Sequence, residues 1–323
     1  MEPLLRVENL SVHFSESKAY LPGQKRGVLR AVDDVSFSIA KGEVLGLVGE
    51  SGCGKSTVSR AILRLIPFTA GVVNFQGQDL AAMSPRQLRA ERSKFQMIFQ
   101  DPYASLNPSM TVEQTISELL LIHRGGTRAD RRQRVEQVLR EVELDPAFMN
   151  RYPHEFSGGQ RQRICIARAL VLHPDFIVAD EPVSSLDVSV QAQIINLLQG
   201  LQEKHQLTYL FISHDLSVVR HISRHVAIMY LGKIVEMAET AQVYADPLHP
   251  YAQALLSAVS IPDPDAEASR KRILLTGEVP SGYALPRGCR FNTRCRHRMD
   301  VCLESEPPLR EVRSGHRVAC HLY

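Results

Sequence analysis

Apolar and polar residues alternate along "LLRVENLSVHF", residues 4–14, and this predicts a strand with one buried face. The stretch "AVDDVSFSIAKGEVLGLVG", residues 31–49, predicts two more, broken at Lys41-Gly42. Between them "SESKAYLPGQKRGVL" carries Pro, Gly and charges and reads as an inserted loop. The run "GEVLGLVG" is apolar on both faces, as a parallel strand covered by helices on both sides must be. From about Ser84 to Leu172 the spacing turns helical, most clearly in "RADRRQRVEQVLREVEL" and "GQRQRICIARALVL". Then "DFIVADEP" predicts a buried strand, "VQAQIINLLQGLQEKH" a helix, "LTYLFISHD" a strand and "HVAIMYLGKIVEM" one or two more. Strand and helix alternate as in a mainly parallel α/β layer with a helical block inserted. After about Ala238 the character changes: "ADPLHPYAQALLSAV" predicts one short helix, "SIPDPDAEASRKR" a linker, and the Arg- and Pro-rich tail shows little periodicity.

At 323 residues the chain suggests about two domains. The formal charge of +3, from 38 basic and 35 acidic side chains, excludes a protein that grips nucleic acid through its overall field. The basic excess is local: from Arg287 to Tyr323 there are eight Arg and four acids. No stretch approaches the roughly 20 apolar residues of a spanning helix, and the N-terminus lacks the basic start and apolar core of a signal peptide. The expected location is therefore the cytoplasm, where four clustered cysteines point to metal before disulfides.

The chemistry begins at "GESGCGKST", Gly49 to Thr57, which places Gly-Lys-Ser after a glycine and four residues, between a buried strand and a helical run. Such a loop turns backbone N–H groups inward and presents the positive end of the next helix to phosphates. ATP-binding candidates are Gly49, Ser51, Gly52, Cys53, Gly54, Lys55, Ser56 and Thr57, with Lys55 reaching the β and γ phosphates and Ser56 placing its hydroxyl on Mg²⁺. Cys53 occupies a variable position of the loop. At the end of "FIVADEP", Asp180 suits a Mg²⁺ contact through water, and Glu181 is positioned to orient or deprotonate the attacking water.

With these on the page, "FSGGQRQR", Phe156 to Arg163, resembles the signature of ATP-binding cassette (ABC) ATPases, with Phe where Leu is commonest. The resemblance implies an ABC-type nucleotide-binding domain: a RecA-like, mainly parallel α/β core with antiparallel β and helical subdomains, the helical one over about residues 95–172. It also implies that Ser157, Gly158, Gly159 and Gln160 close on the ATP of an opposite subunit, so that dimerisation is part of the mechanism. Gln100 in "MIFQDP" matches the glutamine that contacts Mg²⁺ and senses the membrane subunits. Ser185, Leu186 and Asp187 match the D-loop, and His214 the switch histidine at the γ-phosphate. Phe14 matches the aromatic that stacks on adenine, with Tyr20 as the alternative. Catalysis on this reading rests on Glu181, His214 and Lys55.

Ser157 lies 100 positions after Thr57, which leaves no room for the coiled-coil arms of chromosome-maintenance ATPases; nor is there a second cassette as in translation-factor relatives. A transport ATPase is expected, with no nucleic-acid partner. "MIFQDPYASLNP", "DPLHPYAQALLSAV" and "GCRFNTRC" resemble ATPase subunits of bacterial dipeptide and oligopeptide importers, an architecture shared by nickel, glutathione and antimicrobial-peptide importers. This implies a nucleotide-binding domain over residues 1–237 and a C-terminal extension over 238–323. It further implies a heterodimer with a second ATPase, two permeases, an extracytoplasmic binding protein, and a peripheral place on the cytoplasmic face of the inner membrane.

Cys289, Cys295, Cys302 and Cys320 are separated by five, six and seventeen residues. Structural zinc sites use tight pairs, which are missing, whereas four thiolates at wider spacing suit a [4Fe-4S] cluster; spacing alone leaves iron–sulfur, zinc and free thiols open. The importer resemblance implies the iron–sulfur cluster, with neighbouring arginines offsetting its charge.

Overall fold

The computed structural model describes residues 2–15, 27–123, 125–259 and 272–323. Tyr20 and most of the expected linker after Val259 lie outside them. The strands are β1 Leu5–Ser15, β2 Val28–Ile39, β3 Val44–Val48, β4 Ala70–Phe75, β5 Gln78–Asp79, β6 Phe95–Ile98, β7 Phe176–Asp180, β8 Thr208–Ser213, β9 His225–Tyr230, β10 Lys233–Glu239, β11 Arg310–Arg313 and β12 His316–Val318. The α-helices are α1 Lys55–Ile62, α2 Pro85–Glu91, α3 Pro102–Ser105, α4 Val112–Ile122, α5 Arg128–Glu141, α6 Gly158–Leu170, α7 Val188–His205, α8 Leu216–Ile222, α9 Thr240–Ala245, α10 Pro250–Ser257 and α11 Val301–Glu304. Contacts divide the chain into two compact units interleaved in sequence. One is Met1–Leu4, Ile39–Val44 and Ala82–Ile212; the other is Leu5–Ser38, Leu45–Ala81 and Ser213–Tyr323.

In the first unit β6, β7 and β8 run parallel, with Val178 opposite Met97 on one side and Leu210 on the other. Every residue of β7 and β8 is buried, which is why these strands read as unbroken apolar runs. β6 departs from the helical pattern expected from Ser84 onward. Its four residues, Phe95 to Ile98, are too few to express a period, and their conformation comes from pairing with β7 rather than from local propensity. Helices α4, α5 and α6 start at Thr111, Thr127 and Ser157, each closing a reciprocal capping box with the residue three positions on. Eight of the fourteen residues of α5 are charged, and the helix is held by Val135, Val138 and Leu139 on one buried stripe.

In the second unit β1 pairs antiparallel with β4, and β4 with β5. β3 runs parallel to β9, which turns back into β10 through Leu231 and Gly232, both at positive φ (42° and 82°), as a tight hairpin turn requires. The tail then adds to this sheet: β12 pairs with β10, Val318 opposite Glu236, and β11 pairs with β12. The low periodicity of the tail therefore conceals two short strands, because the exposed "REVR" of β11 has no buried face to write a pattern. Glu236, completely buried at the β10–β12 pairing, accepts from His316 Nε2 (2.8 Å) and from the N–H groups of Leu248 (2.9 Å) and His249 (2.6 Å) at the start of α10. Burial pushes the His249 imidazole down to about 3, so its neutral Nδ1 accepts from Tyr251 N–H (3.1 Å). Among the described residues no helix is long and apolar enough to cross a membrane.

Candidate functional site

β3 delivers the chain into the glycine loop, and α1 begins at Lys55. Two loop glycines have no substitute. A Cβ on Gly49 would stand 2.2 Å from the Met229 carbonyl oxygen, and one on Gly54, at φ 110°, 2.2 Å from that of Ala31. The loop is thus threaded between backbone segments. Lys55 is 4% exposed, and its ammonium donates to the carbonyls of Gly49 (2.7 Å) and Glu50 (3.1 Å). Ser51 and Gly52 face solvent, Ser56 and Thr57 are half-buried in the first turn of α1, and Cys53 is buried. Burial pushes the Cys53 thiol up.

Two residues outside the motif complete the loop's setting. Glu50 N–H donates to the Tyr251 hydroxyl of α10 (2.9 Å), and Glu50 Oε2 accepts from Arg294 Nη1 in the cysteine-rich tail (2.9 Å). Sequence reading missed both, because partners some 200 and 244 positions away leave no local pattern.

In the first unit Asp180 ends β7, 3% exposed and in register with Ile212 of β8. Glu181 follows in a left-handed conformation, φ 47°, which costs a non-glycine residue energy and is typical of residues held for function. Its N–H donates to Ile212 O (3.0 Å), and its carbonyl accepts from the Ser184 amide and hydroxyl. Gln100 Nε2 donates to Glu181 Oε2 (3.0 Å) across 81 residues of sequence. The structure thus brings the expected glutamine onto the expected base.

The signature and D-loop also meet. Ser157 caps α6, accepting from Gln160 N–H, while Gln160 Oε1 accepts from Ser157 N–H (3.0 Å). A Cβ on Gly159 would lie 2.6 Å from Val190 Cγ1, and one on Gly158 3.4 Å from Leu186 Cδ2, so these glycines admit the D-loop and the start of α7. Phe156 is buried, edge-on to Phe148 at 5.8 Å, a hydrophobic slot that explains Phe in the signature. Ser185 and Asp187 are exposed, as is His214, which follows β8 immediately. Phe14 is 42% exposed near the end of β1.

The tail folds its four cysteines into mutual electrostatic reach. Burial and the neighbouring thiols push Cys289 up to about 11 and raise Cys295 and Cys320. Gly288, at φ 67°, makes this possible: a Cβ there would stand 2.4 Å from Cys302 O, and without one Cys289 N–H donates to that carbonyl (2.8 Å). Cys320 lies just after β12. Among the described residues no group of three or more His, Cys, Asp or Glu side chains is arranged to hold a metal ion.

A glycine loop with a buried lysine after a buried parallel strand, and adjacent acids ending another, define a phosphate-loop ATPase. The comparisons make this specific. The family model described as "ABC transporter" matches residues 32–184, and that described as "Oligopeptide/dipeptide transporter, C-terminal region" matches 235–302. The chain is 55% identical to a putative oligopeptide transport ATP-binding protein, YkfD, of Bacillus subtilis, over 99% of this chain and 96% of that one. It is 52% identical to the oligopeptide transport ATP-binding protein OppF of Salmonella typhimurium, over 98% and 95%. A dimeric ATP-binding cassette in a post-hydrolysis state with ADP and Pi matches with TM-score 0.64 and 28% identity, over 73% of this chain and 98% of that one. The chain belongs to the ATP-binding subunits of ABC transporters and is an ABC ATPase.

Proposed function

We propose that this chain is the ATP-hydrolysing motor of a peptide importer, bound to the cytoplasmic face of the cell membrane through permease partners. Similarity to peptide-import ATP-binding proteins over nearly the whole length of both chains carries this reading, and it includes the C-terminal region. The cargo class is peptide; dipeptides are the narrower reading, from the tail. Residues 1–237 turn over ATP in this scheme, and 238–323 form the extension specific to these importers.

In the proposed mechanism Lys55 and the loop amides bind the phosphates, and Ser56, Gln100 and Asp180 are the residues that would hold Mg²⁺, Asp180 through water. When bound, the metal would supply positive charge against the phosphates. Glu181 orients the attacking water and takes its proton, and Gln100, already hydrogen-bonded to Glu181, ties that base to the metal and the permease-facing surface. His214 steadies the γ-phosphate, and Phe14 stacks on adenine. Ser157, Gly158, Gly159 and Gln160 serve the ATP of a second, homologous ATPase chain, with Ser185, Leu186 and Asp187 beside them. Peptide arrives from an extracytoplasmic binding protein.

Lys55→Ala is expected to weaken ATP binding to the purified chain by about a hundredfold or more, since it removes a buried cation that pairs with phosphate. The same variant should abolish uptake of labelled peptide by cells that depend on this chain; undiminished uptake would overturn the motor role.

Cys289, Cys295, Cys302 and Cys320 would hold an iron–sulfur cluster in the extension. The spacing of the four cysteines and the electrostatic influence of the thiols on one another support this reading. Such a cluster would staple the tail. Anaerobically purified protein should be brown and contain iron and sulfide, and Cys302→Ser should lose both; a colourless protein containing zinc would refute the assignment.

A further inference from the structure

The phosphate loop is held from outside by the C-terminal extension. Two contacts from the extension reach it directly, and a third comes from the β9–β10 turn that the extension braces, all in the same compact unit. Tyr251 Oη accepts from Glu50 N–H at 2.9 Å, which sets the peptide plane between Gly49 and Glu50. Arg294 Nη1 donates to Glu50 Oε2 at 2.9 Å, with the Arg294 side chain 8% exposed. Gly232 N–H donates to Cys53 O at 2.8 Å, and the carbonyl of Leu231, one residue earlier, accepts from Arg290 Nη1. Arg290 is itself anchored on Asp33 and on Glu306 (3.3 Å). Tyr230, Tyr251, His249 and Phe291 pack as one aromatic cluster, ring centroids 4.7 to 5.6 Å apart, fixing Tyr251 beside the Phe291 segment of the tail.

Glu50 is a liability where it stands. Its carbonyl is one of the two that hold the Lys55 ammonium, so movement of residue 50 moves the lysine. Its carboxylate adds a negative charge to a loop whose work is to bind an anion. Arg294 meets both problems: it fixes the side chain and offsets the charge in a largely buried setting, where a charge-assisted hydrogen bond is strong.

We infer that Arg294 and Tyr251 are positioning residues of the nucleotide site, through which the C-terminal extension holds Glu50 and keeps the phosphate loop in its ATP-binding form. This rests on the reading that Gly49–Thr57 binds ATP. The extension is then part of the motor and not only a mark of importer type.

The test is equilibrium binding of ATP to the purified full-length chain, with Lys55→Ala as reference, followed by ATPase kinetics of the assembled transporter. If Lys55→Ala leaves binding unchanged, the assignment of the loop to ATP fails first. With that arm lost as expected, Arg294→Ala should weaken ATP binding about five- to tenfold and raise KM for ATP by a similar factor, with kcat within about twofold. Arg294→Lys, which keeps the charge, should recover most of the affinity. Glu50→Gln combined with Arg294→Ala should bind more tightly than Arg294→Ala alone, because the uncompensated carboxylate is gone. Tyr251→Phe removes one hydroxyl from a packed ring and should weaken binding in the same direction, which keeps the test available if Arg294→Ala does not fold. Wild-type affinity in both Arg294→Ala and Tyr251→Phe, or a Glu50→Gln, Arg294→Ala double variant that binds no more tightly than Arg294→Ala alone, would overturn the inference.

Discussion

Glu181→Gln is expected to retain ATP binding and to lose turnover by about a hundredfold or more, the usual contribution of a positioned general base. The position is determined at several atoms independently of the carboxylate's charge. Its amide is bonded to Ile212 O, its carbonyl receives two donors from Ser184, and its backbone occupies the left-handed region. Glutamine has the same shape and leaves those bonds in place, so what disappears is an oxygen able to take a proton from water. Steady-state ATPase activity together with ATP binding decides the matter. An ATPase rate near wild type would remove Glu181 from the chemistry and leave its carboxylate a structural partner of Gln100.

Glu236→Ala should have the largest effect on stability, about 3–5 kcal/mol by denaturant unfolding. The side chain is completely buried and gathers three donors: His316 Nε2 from β12 and the Leu248 and His249 amides from the start of α10. Alanine strands all three without water to replace the carboxylate, a cost far above the net value of any one bond. Because these donors come from β12 and α10, loss of Glu236 should also loosen the tail strands and the helix that carries Tyr251. An unfolding midpoint unchanged from wild type would show that the buried pairing contributes nothing.

The phosphate loop was legible because its requirements are local. Glycines at fixed offsets, a lysine and a following helix are consecutive constraints, and the structure adds the reason for two of them: carbonyl oxygens of Met229 and Ala31 stand where a Cβ on Gly49 or Gly54 would go. β7 and β8 were legible because complete burial leaves an unbroken apolar run. β6 was not, since four residues beside helical segments carry no period and only pairing with β7 makes them a strand. The tail strands stayed hidden for the same reason on an exposed edge.

By itself, then, the sequence determined what neighbouring residues can impose: the buried strands, the capped helices, the glycine loop and the order of the motifs. Tertiary structure decided which distant groups meet. It set Gln100 on Glu181, Val190 against Gly159, four cysteines within reach of one another, and Arg294 and Tyr251 on Glu50. The physical reason is that motif spacing and periodicity record constraints along the chain. A hydrogen bond across 244 residues is selected by packing, and it leaves only an unremarkable arginine in the sequence.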